Sequence, residues 1–219
     1  MQSNTLYVLI SAIPALVLAI SLHEMMHSVA GYWLGDDTAQ QHGRLSLNPL
    51  RHIDPLTTIG LPLMLVLLGL PPFAAAKPVP INMYRLKFQE FGMALVGLAG
   101  PLTNLLLAIL FIFVLKLVSP VAAGILSGGQ IVVGDSYLVG FLSYSILLNI
   151  GLFVFNMIPF PPLDGSRVLY ALAPEFLQEI MMRIERLGFT AILLFMFVGF
   201  PFISPFVSSA QKMIISFLV

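Results

Sequence analysis

Long apolar runs with almost no charge inside them constrain this chain more than any other feature. Five are visible: 6–34, 56–76, 91–118, 137–158 and one that begins near Leu187. A helix needs about 20 apolar residues to cross the hydrocarbon core of a bilayer. Charged side chains are 9% of the 219 residues and hydrophobic ones 58%, whereas a water-soluble domain is roughly a quarter charged. The chain lacks the polar surface it would need in water. It is expected to be an all-α polytopic membrane protein, because in lipid each backbone N–H and C=O must be paired within the chain. No basic stretch precedes the first run, so it is expected to remain as a span and not to act as a cleavable signal.

The rest of the composition removes other classes. Ten basic residues balance ten acidic ones with no basic run, which argues against a nucleic-acid partner. There is no cysteine, so thiolate ligands and disulfides are excluded, and a metal would need His, Asp, Glu or carbonyl oxygen.

Charge placement orders the runs. Arg44, Arg51, Lys77, Arg85, Lys87, Arg167, Arg183 and Arg186 fall in segments 35–55, 77–90 and 160–187. The N-terminal tail and the 119–136 loop hold no Lys or Arg, and Lys116 and Lys212 lie near the opposite end. If run 56–76 spans, the first two basic segments face opposite sides; if it dips in and returns, eight of the ten basic residues share one side. The bias of Lys and Arg to the cytoplasmic side favours the second arrangement. The expected architecture is therefore about four transmembrane helices, N-terminus outside, plus a re-entrant 43–90 region on the cytoplasmic side. Within that region 43–48 and 77–82 read as short β-strands, the alternating Pro78 and Pro80 suiting only an edge or a loop. As edges they would be candidate clamps for an extended peptide. Segment 166–186 reads as one or two interfacial helices interrupted at Pro174. The fifth run, broken by Pro201 and Pro205, reads as a last span with an amphipathic tail.

The first run holds His23-Glu24-Met25-Met26-His27. Residues four apart share a helix face, so both imidazoles point one way and can chelate a single metal ion. Glu24 sits about 100° round the helix: too far round to ligate beside both histidines, near enough to reach a water at the metal. This is the HExxH pattern of zinc peptidases. A carboxylate in an apolar span costs several kcal/mol unless paired; the competing explanation is a buried ion pair or a proton relay.

A catalytic zinc usually takes three protein ligands. The fourth run ends in Asn156-Met157-Ile158-Pro159-Phe160-Pro161-Pro162-Leu163-Asp164-Gly165. Its prolines break the helix, which lets a carboxylate turn back inward, and the four-span arrangement puts Asp164 at the same end as His23 and His27. The competing explanation for Asp164 is a turn or N-cap residue before a helix starting at 166.

HExxH in a span, followed more than a hundred residues later by NxxPxPxxDG at Asn156, Pro159, Pro161, Asp164 and Gly165, resembles the site-2 protease family of intramembrane zinc metalloproteases. The family's middle element, G-x-x-x-(N/S/G), fits Gly100 to Asn104. The strings His42–Pro49, His52–Pro55 and Ala76–Pro80 are similar to its compact prokaryotic branch, which lacks a PDZ domain. The resemblance covers residues 6 to about 173.

It implies one domain over 1–219: a protease core at about 6–173, then an interfacial helix, last span and tail over 174–219. It implies one Zn²⁺ per chain held by His23, His27 and Asp164, Glu24 as catalytic base, and Asn156 near the oxyanion. It implies hydrolysis of peptide bonds in or near transmembrane segments of membrane-protein substrates, in a prokaryotic plasma membrane, with the active site toward the cytoplasm. Asn104 is either a polar neighbour of the site or interhelical hydrogen-bonding glue, and Asn149 reads as glue. His42, His52 and Asp54 could form a second metal site or gate access, against ordinary loop hydrogen bonding. A transporter moving a metal cation or proton through the His/Glu cluster would use the same residues, but transporters tend to show repeated halves and this chain has none. A scaffold with a structural zinc would need a fourth protein ligand, and none is evident.

Overall fold

The sixteen prolines and seventeen glycines do not prevent long helices. The computed structural model describes residues 2–52, 54, 58, 60, 64, 77–127 and 136–219. Its elements are α1 (Gln2–Trp33), α2 (Thr38–Gln41), α3 (Gln89–Val118), α4 (Pro120–Ser127), α5 (Tyr137–Asn156), α6 (Gly165–Leu172), α7 (Glu175–Arg186), α8 (Phe189–Leu194) and α9 (Phe200–Leu218), with a π-helical turn at Phe195–Gly199 and 3₁₀ turns at Pro49–Arg51 and Met83–Arg85. Pro14 lies inside α1 and Pro101 inside α3, as membrane helices tolerate when neighbours satisfy the freed carbonyls.

Four helical stretches are long and apolar enough to cross a membrane: Leu6–Trp33, Gln89–Val118, Tyr137–Asn156 and Thr190–Leu218. The α1, α3 and α5 helices pack on one another, α6 lies against α3, and α9 touches α5 and α4. Their apolar core gathers Ile112, Leu115, Leu126, Leu142, Ile146 and Ile150. The last span runs on through Pro201 and Pro205, contrary to the break expected there. The π turn at Phe195–Gly199 precedes Pro201, where the proline's missing N–H interrupts the regular α-helical bonding without ending the span.

The segment between α1 and α3 starts and ends at one side of the bundle. Lys87 N–H donates to Leu34 O over 2.8 Å. Asn82 N–H donates to Asp36 Oδ2 over 2.6 Å. Buried Arg44 donates to the carbonyls of Arg51, Lys77 and Pro78. Run 56–76 lies outside the described residues apart from Thr58, Gly60 and Met64.

The expected short β-strands are overturned: among the described residues there is no strand, at 43–48, at 77–82 or elsewhere. The physical reason is that the donors a ladder needs are spent locally. Gly43, Arg44 and Ser46 donate to Gln40 O, Ala39 O and Arg44 O, and Asn48 caps the turn at Pro49. In 77–82 the two prolines have no N–H, and Lys77 and Asn82 donate to His52 O and the Asp36 carboxylate. Segment 166–186 forms two helices, α6 and α7, separated at Pro174.

Candidate metal centre

Three elements meet where the chemistry-bearing residues lie. The lower half of α1 carries His23, Glu24 and His27; α3 crosses it at Val96–Asn104; and the turn after α5 brings Asp164. That turn forms because α5 cannot continue through Pro159, Pro161 and Pro162. Gly165 lets it fold tightly back, since a Cβ there would stand 2.6 Å from Met157 C and 2.8 Å from Ile158 O. Asp164 holds the N-cap position of α6, yet its side chain makes no capping bond. It faces the histidines, with Oδ2 3.1 Å from His23 Nε2 and 3.3 Å from His27 Nε2.

The far side of each ring is held. His27 Nδ1 donates to Val96 O over 2.7 Å, and His23 Nδ1 donates to Asn104 Oδ1 over 2.5 Å. Both partners are acceptors, so each ring carries its proton on Nδ1 and turns the Nε2 lone pair inward. The two Nε2 atoms are 3.0 Å apart, and Asp164 Oδ2 is buried with no hydrogen bond. Three acceptor atoms packed this way repel unless a cation or proton lies among them. Bonds of about 2.0–2.1 Å at tetrahedral angles would separate zinc ligands by about 3.3 Å, close to the spacings here. His₂Asp is also a donor set that suits zinc.

Small size on α3 makes room for the rings. A Cβ on Gly100 would lie 2.7 Å from His23 Nε2 and closer still to His27 Nε2. Gly100→Ala is expected to displace the imidazoles, weaken zinc binding at least tenfold and cost about 1–3 kcal/mol of stability; metal titration and thermal unfolding would check both.

The three groups open on a cavity of about 700 Å³ whose wall includes Glu24, Asn156, Pro78, Val79, Arg167 and Glu185. Asn156 donates one N–H to Leu152 O over 3.1 Å, leaving the second. The sequence reading missed Arg167 and Glu185, which form a two-bond ion pair at 2.9 and 2.5 Å and fasten α7 to α6 beside the cavity. The available signal was position: Arg167 follows Asp164 by one helical turn. His42 is not brought to the site; it is exposed and bonds Thr38 O. His52 is buried and bonds Ser46 O over 2.7 Å. Asp54 lines the cavity. Among the described residues the only group of three or more metal-capable side chains is His23, His27 and Asp164.

Comparison with known proteins identifies the family. Residues 116–199 match the model of Peptidase family M50. The "Putative zinc metalloprotease YwhC" of Bacillus subtilis is 36% identical over 192 residues, 86% of this chain and 82% of that protein. The "Putative zinc metalloprotease Rip2" of Mycolicibacterium smegmatis is 28% identical over 74% of this chain, which spans 57% of that protein's length. Rip2 of Mycobacterium tuberculosis is 30% identical with the same coverage. No solved structure matches. An inward-facing His₂Asp cluster between membrane-length helices thus coincides with similarity along most of a full-length relative, and the chain belongs to Peptidase family M50.

Proposed function

We propose that this chain hydrolyses peptide bonds within or next to transmembrane segments of membrane-protein substrates, using one zinc ion held by His23, His27 and Asp164. It is a zinc metalloendopeptidase of the family to which it belongs, and a multi-pass membrane protein by its four apolar helices. The observation that carries the site assignment is the convergence of the two Nε2 lone pairs and Asp164 Oδ2 within 4.8 Å of one another, at buried or half-buried positions between the helices.

Zinc, when bound, would supply Lewis acidity, lowering the pKa of a water toward neutrality and polarising the scissile carbonyl. The residues of the chain do the rest. Glu24, on the cavity wall one residue from His23, accepts the proton of the attacking water and returns it to the departing amide nitrogen. Asn156, with one N–H uncommitted, faces the cavity from the end of α5 and donates to the carbonyl oxygen as charge develops on it. Asn104 and Val96 O keep the histidines in the ligating tautomer. A helical substrate hides its carbonyls in backbone bonds and must unwind before Glu24 and Asn156 can reach one. The shared side of the basic segments supports a cytoplasmic active site in a prokaryotic plasma membrane.

The test is cleavage of single-span proteins co-reconstituted with the purified chain in liposomes. Cleavage should stop when a zinc chelator is added and return when zinc is restored. Cation or proton flux without cleavage in the same vesicles would replace the protease by the transporter reading.

A further inference from the structure

Beyond the ligands lies a buried chain of amides that the catalytic proposal does not use. Asn104 is 0% exposed and Asn149 1%. Asn104 Nδ2 donates to Asn149 Oδ1 over 2.8 Å and to Ala19 O over 3.4 Å. Asn149 Nδ2 donates to Ser145 O over 2.8 Å. A main-chain carbonyl can only accept, so Ser145 O turns the amino end of Asn149 toward itself and the carbonyl end toward Asn104. Asn104 must then present its own amino end to Asn149, which leaves Oδ1 for His23 Nδ1 at 2.5 Å. Flipping Asn149 would set two N–H groups against each other in a dry interface, where an unmade bond costs about 1–3 kcal/mol. The direction of this chain of bonds is thus set chiefly at Ser145, on α5, with the longer bond from Asn104 to Ala19 O acting in the same sense, and is read out at His23, on α1. The other ring needs no such chain, because His27 bonds a main-chain carbonyl directly.

We infer that Asn149 is a positioning residue for zinc: acting through Asn104, it fixes which nitrogen of His23 carries the proton and so keeps the Nε2 lone pair aimed at the metal. The inference rests on His23 as a zinc ligand, the reading proposed above. A plain structural role would tie α3 to α5 and leave zinc affinity untouched, or weaken it equally whether or not Asn104 is present. Coupling between the two amides separates these cases.

The experiment measures zinc affinity of the purified full-length chain by competition with a chelator of known affinity. The variants are Asn149→Leu, Asn104→Ala, the double variant and His23→Ala, with helix content and monodispersity recorded for each. Asn149→Leu keeps the branched four-atom shape of the side chain and suits an apolar span; Asn149→Ala replaces it if the larger methyl groups prevent folding. The expected result is about tenfold weaker zinc binding in Asn149→Leu, less than twofold further loss when Asn149→Leu is added to Asn104→Ala, and loss of zinc in His23→Ala. Wild-type affinity in Asn149→Leu, or a full additional loss in the double variant, overturns the positioning role while His23→Ala still tests the site. Retention of zinc by His23→Ala overturns the ligand reading itself.

Discussion

Glu24→Gln should leave zinc bound and remove about 10³-fold of the cleavage rate, a loss within the range for a positioned general base. The substitution keeps the length and shape of the side chain and takes away only the ability to accept a proton. Glu24 shares α1 with both histidines but points elsewhere on the helix, so it lies on the cavity wall without joining the group of His23, His27 and Asp164 that could hold a metal. Metal stoichiometry should therefore match wild type while product formation falls by about 4 kcal/mol of barrier, at roughly 1.36 kcal/mol per decade. Turnover within tenfold of wild type would remove Glu24 from the mechanism. Loss of zinc alongside activity would make it a ligand, and the geometry of the site would need redrawing.

What could be read in the sequence follows the range of the interaction concerned. The shared face of His23 and His27 depends only on helical spacing, so five residues suffice to see it. The spans depend on length and hydrophobicity and are equally local. Asp164 is harder, because its approach to the rings depends on three helices packing and on Gly100 and Gly165 allowing close contact; spacing and span topology only leaned toward it over the helix-cap alternative, and the resemblance made the choice sharp. Arg167 and Glu185 escaped because an ion pair across a helix–helix corner leaves no periodic trace. The strands expected at 43–48 and 77–82 failed for a related reason. Their composition looks extended, but whether extended backbone forms a ladder depends on where its N–H groups go, and here they go to α2, His52 O and Asp36.

Asp164→Ala should cost the protein its metal without costing it its fold. The structural zinc sites of small peptides bind with about 10–16 kcal/mol spread over four ligands, so one ligand is worth roughly 3 kcal/mol, or about 10²-fold in affinity. Cleavage should fall with occupancy and recover in part at high zinc. If Asp164 served instead as the cap of α6, the variant would lose about 1 kcal/mol of stability and keep its zinc. The two roles are separable because the Asp164 side chain makes no capping bond, whereas Oδ2 stands 3.1 and 3.3 Å from the imidazole nitrogens. In the metal-free chain its removal even relieves a crowded set of acceptors, so thermal unfolding without zinc should be unchanged or slightly higher. Wild-type zinc affinity in Asp164→Ala, measured beside an intact helical signal, would dissolve the site.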